Sequence, residues 1–229
     1  MYIVIDGADA TSKSTQVAML AERLARDGHR VFVTKEPGGT TALGAKIREI
    51  LIDSDTSITP HAALCLFLAD RCQNMVGVQE ALDAGKIVIS DRSSFSSFVY
   101  FAAAMTEADT LEVAGQIAPL LDFAQQVRPD WCFVCSADFE WSRKQLAARA
   151  QLDRIEQMGD QFHKRTHEFF KPYYLNRLAT KMQNAPNKIW HVSPASSASK
   201  EQISDQIYDI LDLPSRLLAT PFNIFEVIR

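Results

Sequence analysis

Gly7, Lys13 and Ser14 stand at the spacing of G-x-x-x-x-G-K-[ST], the frame of a loop that wraps the phosphates of ATP. A lysine placed there can reach the terminal phosphates, and the hydroxyl beside it can hold a divalent cation. The stretch IDGADATSKST (5–15) breaks the frame once, because Ser12 occupies the place of the second glycine. Ala10 and Thr11 fill two further positions of the loop. Glycine at the Ser12 position would give free backbone dihedrals and close approach to phosphate. Serine costs about 1–2 kcal/mol if a left-handed backbone is required there. Micromolar affinity for a triphosphate is worth about 8 kcal/mol, so the substitution can weaken ATP binding without abolishing it. Alone, the loop weighs evenly against a plain strand–turn–helix.

Context favours the phosphate loop. The apolar run YIVID (2–6) leads into Gly7, and a helical pattern with Val17, Leu20 and Leu24 on one face follows. Backbone N–H groups at such a helix start face an anion, aided by the helix dipole. Four more apolar runs, RVFVTK (30–35), KIVIS (86–90), DWCFVC (130–135) and KIWHV (188–192), read as strands. Their near-continuous apolar character predicts parallel strands covered on both faces. Between them, helical patterns span 13–27, 41–53, 60–84, 94–126 (broken near Thr106), 138–150, 160–183 and 199–211. The alternation predicts an α/β fold, a doubly wound parallel five-stranded sheet flanked by helices.

The 229 residues carry 47% hydrophobic and 23% charged side chains with a net charge of −4, an ordinary globular composition for one large domain. The acidic balance argues against a broad grip on nucleic acid, although a local basic cluster can still bind a small anion. No apolar run approaches 18 residues and the chain opens directly on a strand, so neither a membrane span nor a leader is expected. Cys132 and Cys135 form C-x-x-C inside a strand, where they point apart and cannot share a metal. With Cys65 and Cys72 they read as reduced cysteines of a cytoplasmic protein. Residues 214–229 hold Leu217, Leu218, Phe222, Ile224, Phe225, Val227 and Ile228, too many apolar groups for a solvated tail. They are expected to pack on the 1–213 domain or on a second subunit.

Four further segments carry a resemblance. TKEPGGTTALGAKIR (34–48), FLADR (67–71), DRSSFSSFVY (91–100) and LDRIEQ (152–157) follow the loop in an order and register that resemble the thymidylate kinases, P-loop nucleoside monophosphate kinases, through about residue 212. The resemblance implies ATP-dependent phosphorylation of dTMP, or a closely related deoxyuridylate, with Mg²⁺ and a small lid over residues 142–154. It also implies a homodimer. Gly7, Ser12, Lys13, Ser14, Thr15 and Arg143 would bind ATP, and Ser14 and Asp91 the metal.

On the acceptor side, Glu36 and Pro37 open a turn whose glycines let the backbone approach a monophosphate. Arg48, a turn or more into the next helix, could pair with that phosphate bidentately. Phe67 and Arg71, four apart, share a helix face; a ring can grip a base while the guanidinium donates to a carbonyl such as thymine O4. Each has a plain alternative: a solvated arginine, a core phenylalanine. By resemblance, Arg92 would bridge the two phosphates, Ser97 would meet the base N3–C4 edge, and Tyr100 would lie under the deoxyribose. Asp9 would contact the acceptor's 3′-hydroxyl and help to place Arg92. A carboxylate beside phosphates is hard to explain otherwise. Ser93 and Phe101 depart from the family's usual Tyr and frequent Gln.

The phosphate loop has no arginine, and SRKQLAARAQLDR supplies Arg143, Lys144, Arg149 and Arg154 instead. Arg149 matches the lid-type catalytic arginine, against the plain reading of a solvated basic face. Lys13, Arg92, Arg149 and Asp9 are thus the candidate catalytic set. Two rivals remain: a catalytically silent nucleotide binder, motivated by Ser12, Ala10 and Thr11, and a deoxynucleoside kinase, which would want a carboxylate base at the sugar.

Overall fold

The computed structural model describes residues 1–105 and 110–213. In chain order it contains β1 (Tyr2–Gly7), α1 (Lys13–Arg26), β2 (Val31–Lys35), α2 (Ala42–Ile52), α3 (Pro60–Asp83), β3 (Ile87–Asp91) and α4 (Ser94–Ala104). α5 (Thr110–Ala124), β4 (Trp131–Cys135), α6 (Phe139–Ala147), α7 (Asp160–Phe169), α8 (Pro172–Ala179), β5 (Lys188–His191) and α9 (Lys200–Leu211) complete it. The five strands form one parallel sheet in the order β2-β3-β1-β4-β5. The α/β fold read from the sequence is the one observed.

Strand alternation divides the core. Tyr2 and Val4 face one side with Val88, Cys132 and Val134, under α3, α4, α5, α7 and α8. Ile3 and Ile5 face the other with Ile89, Phe133 and Cys135, under α1 and α9. Each fully buried side chain of this kind contributes about 1.5–3 kcal/mol. The two cysteines of C-x-x-C lie on opposite faces, buried and free.

β1 sits at the centre, and the chain leaves it first toward β2 and β3, later toward β4. In an open parallel sheet, such a reversal leaves a crevice beyond the carboxyl ends of the strands. Gly7, Asp91 and Cys135 mark that edge. A side chain on Gly7 would collide with the carbonyl oxygen of Cys135, so glycine lets β1 turn into its loop against β4.

One helix boundary differs from the sequence reading. The pattern over 160–183 is two helices, because Pro172 cannot donate to the ladder and holds Lys171 extended (φ −68°, ψ 153°). The predicted break near Thr106 falls at residues 106–109, and the apolar extension at 214–229; both lie outside the described residues.

Candidate active site

A cleft of about 400 Å³ opens at the carboxyl edge of β1 and β3. Asp9, Lys13, Ser14, Pro37, Arg48, Phe67, Arg92, Tyr100 and Arg149 all line it. Residues from six distant segments of the chain thus meet at one place.

The loop between β1 and α1 closes on itself. Thr11 Oγ1 donates to the Ala8 carbonyl at 2.8 Å, and the buried Lys13 Nζ donates to the same oxygen. Burial, with Arg92 adding to it, pushes the Lys13 ammonium down to about 8. Ser12 lies in the left-handed region (φ 69°, ψ 14°), and Ala10 is left-handed as well (φ 56°). At the start of α1 the Ser12 side chain makes no cap bond. The backbone therefore takes the shape a glycine would have allowed, at a cost of about 1–2 kcal/mol. Ser12→Gly should raise stability by about 1 kcal/mol in thermal unfolding and leave ATP affinity equal or better. Ser12→Ala should gain nothing. A tenfold fall in kcat/KM for ATP with the glycine variant would show that the hydroxyl itself is needed.

Arg92 also has positive φ (84°), at the end of β3. Its backbone N–H donates to Ile5 O at 2.9 Å, and its carbonyl accepts from Ser90 Oγ at 3.0 Å. The guanidinium reaches Gly7 O (3.3 Å), Ser96 Oγ (3.1 Å) and Tyr100 OH (3.2 Å), and pairs with Asp9 Oδ1. Burial opposes ionisation of Asp9, but Arg92 and then Lys13 outweigh it and bring the carboxyl down to about 2. Asp9 Oδ2 is shielded from solvent without a hydrogen-bond partner, so it is free to accept from a ligand.

Ser14 Oγ donates to Asp91 Oδ2 at 2.5 Å, while Asp91 Oδ1 is shielded without a hydrogen-bond partner. A hydroxyl and a spare carboxylate oxygen side by side are hard donors of the kind Mg²⁺ takes.

On the other wall, Arg48 Nη1 donates to Pro37 O at 3.0 Å. Arg71 is fully buried behind the cleft, its Nε and Nη2 on Glu36 Oε2 at 2.8 and 2.6 Å. Its Nη1 has no hydrogen-bond partner, nor has Ser97 Oγ, and both are buried. Phe67 and Tyr100 also line a smaller apolar cavity of about 60 Å³, shared with Ser97 and Phe101. An aromatic ring beside two unspent donors can hold a flat polar ligand.

The irregular segment after α6 carries Arg149, ion-paired with Glu156. Arg154 anchors this segment to the end of α2 through the Leu51 and Ile52 carbonyls. Several sequence-predicted residues stand apart from the cleft lining: Gly7 and Ser12 lie in the loop beneath it, Arg71 is buried, Ser97 lines the smaller cavity, Arg143 pairs with Asp160 at 2.9 Å, and Thr15 is exposed on α1.

Sequence reasoning missed Asp6. Its carboxylate accepts from Gly7 N (2.8 Å), Ser93 Oγ (2.6 Å), Ser96 N (3.2 Å) and Ser96 Oγ (2.6 Å), fixing the loop to α4. Ser93, singled out only as a departure, thus ties β1 to α4 and also caps that helix at Phe95 N (3.1 Å). Glu156 was missed likewise. Only the I-D-G ending of the first strand hinted at Asp6.

A family model described as thymidylate kinase matches residues 5–207. A thymidylate kinase of Exiguobacterium sp. is 33% identical over 213 residues, covering 91% of this chain and 92% of its own. One of Clavibacter michiganensis subsp. michiganensis is 39% identical over 173 residues, covering 74% of this chain and 79% of its own. A solved thymidylate kinase structure from Candida albicans superposes with a TM-score of 0.67 at 22% identity, covering 92% of this chain and 90% of that one. At that identity the superposition speaks for the fold.

Proposed function

This chain belongs to the thymidylate kinase family, and we propose that its cleft passes the γ-phosphoryl group of ATP directly to the 5′-monophosphate of dTMP. It is a nucleoside monophosphate kinase, a phosphotransferase whose product is dTDP. The observation that carries the residue assignments is a single cleft in which the phosphate-loop Lys13 and Ser14 face Arg48, Phe67 and Arg92. A plain ATPase has no use for the second wall.

The donor triphosphate lies over the loop from Gly7 to Thr15, including Ser12, its terminal phosphates on Lys13, with Arg143 released from Asp160 toward the nucleotide. The acceptor base stacks on Phe67, with Arg71 Nη1 donating to O4 and Ser97 at N3. Tyr100 lies under the deoxyribose and Asp9 accepts from the 3′-hydroxyl. Arg48 and the turn at Glu36 and Pro37 hold the monophosphate. Arg92 then stands between donor and acceptor, and Arg149 swings in from the lid. Their charges offset the charge that spreads over the transferring oxygens, and the attack is in line without a covalent enzyme intermediate. Ser14, and Asp91 through water, would hold Mg²⁺, which when bound supplies further neutralisation of the phosphates. Closure of the lid over residues 142–154 excludes water, which would otherwise hydrolyse ATP.

The kinase domain spans 1–213. A homodimer is expected of the family, and Leu43 and Ile50 on α2 and Val76 on α3 are exposed apolar groups that a second copy would cover. Sedimentation at micromolar concentration would give a monomer mass if that assignment is wrong. No described helix is long and apolar enough to cross a membrane, and free buried cysteines suit a cytoplasmic enzyme.

The test is a competition. Protein, ATP and Mg²⁺ meet equal amounts of dTMP, dUMP, 5-hydroxymethyl-dUMP, dCMP, dAMP and dGMP, and mass spectrometry reads the diphosphates. The dominant product should be dTDP. Folded protein that makes no diphosphate would overturn the reading, and a different dominant product would reassign the acceptor.

A further inference from the structure

The turn that faces the acceptor is held from behind by one face of α3. Arg71 and Asn74 take both oxygens of Glu36, the latter at 3.2 Å, and Asn74 Oδ1 accepts from Thr34 Oγ1 at 2.7 Å. Asp70 Oδ1 accepts from the Gly38 N–H at 3.1 Å. The peptide so gripped joins Gly38 to Pro37, whose carbonyl takes the Arg48 guanidinium. Asp70 is 1% exposed, and its second oxygen has no hydrogen-bond partner. Arg48, Arg71 and Glu36 are its charged neighbours.

Space around this contact is tight. A Cβ on Gly44, in the first turn of α2, would lie 2.6 Å from Gly38 O and 2.7 Å from Asp70 Oδ1. A Cβ on Gly38 would lie 2.9 Å from Arg48 Cδ. The start of α2, the turn and Asp70 therefore share one point, and Arg48 leaves α2 from that point. A carboxylate without solvent and with a spare oxygen is costly to bury, so the fold gains by using it.

We propose that Asp70 is a positioning residue: by fixing Gly38 from behind, it sets where Arg48 meets the acceptor's phosphate, without touching either nucleotide. The inference rests on the acceptor assignment above. Glu36 and Arg71 cannot do this work, since their contacts end one residue before the Pro37–Gly38 peptide. Asp70 acts on acceptor binding and leaves the donor side untouched.

The experiment compares Asp70→Asn and Asp70→Ser with wild type at saturating levels of the other substrate. Asparagine keeps an acceptor oxygen at the same reach but turns an NH₂ toward arginines; serine is too short to reach Gly38. The acceptor KM should rise about threefold for asparagine and about tenfold or more for serine, with the ATP KM and kcat within about twofold. In an Arg48→Ala background, Asp70→Asn should add less than about twofold, because its route is already cut. Unchanged acceptor KM in both variants, an ATP KM rising in step, or full additivity with Arg48→Ala would overturn the proposal. Should the serine variant fail to fold, asparagine and its cycle with Arg48 decide alone. A wild type inactive on every monophosphate would instead defeat the acceptor assignment, so the two failures are distinguishable.

Discussion

Replacing Lys13 by alanine should lower kcat at least about a thousandfold while dTMP binding stays within about threefold of wild type. The lysine is buried and aimed at the loop's own Ala8 carbonyl, so a triphosphate need only exchange one oxygen acceptor for stronger ones. On the proposed assignment its ammonium serves the donor, whereas Arg48 and Phe67, with Arg71 behind them, serve the acceptor, which is why binding and turnover should separate. Isothermal titration with dTMP beside a coupled kinetic assay makes the comparison. Wild-type turnover in the variant would remove the loop assignment.

The same residue gives a pH signature. Below about 8 the free enzyme holds Lys13 protonated, and above it burial and Arg92 favour the neutral amine. Since kcat/KM reports the free enzyme, its value for ATP should fall as pH rises through about 8. Once ATP is bound, the phosphates favour the ammonium, so kcat should stay level to higher pH.

How much of this was legible in the sequence depends on the range of the interactions. The strands could be read because each is a run of apolar residues whose burial needs no knowledge of its neighbours. Gly7, Lys13 and Ser14 stand at fixed offsets within one turn of chain, and a motif preserves such geometry. Phe67 and Arg71 were legible to the extent that a helix puts i and i+4 together. That Arg71 would be consumed on two nitrogens by Glu36, 35 residues away, was not. Asp6 was invisible for the same reason, its partners lying 87 and 90 residues on. Pro172 should have split the 160–183 helix, but apolar periodicity on both sides masked it. Arg143 was read from its place in a basic segment, and its pairing with Asp160 at the start of α7 was not legible there.

Arg92 should show the other large effect. Alanine there removes the group that joins Gly7, Ser96, Tyr100 and Asp9, and a loss in kcat of about a thousandfold or more is expected. Lysine should recover little, because a point charge cannot reproduce four directions of contact from one planar fork. The backbone allows a sharper control. With φ at 84°, any residue bearing a Cβ is strained at position 92, and glycine is not. Arg92→Gly should therefore be as inactive as Arg92→Ala yet more stable by about 1 kcal/mol in thermal unfolding. An arginine kept where glycine is the relaxed choice needs a reason outside folding, and the cleft supplies one. Asp9 extends the argument, because it loses the main charge that keeps its carboxyl low when Arg92 goes. Its ionisation should then move upward, measurable by carbon NMR of the labelled carboxyl in either variant. If the glycine variant were no more stable than the alanine one, and turnover survived in both, neither the strain nor the charge at position 92 would belong to catalysis.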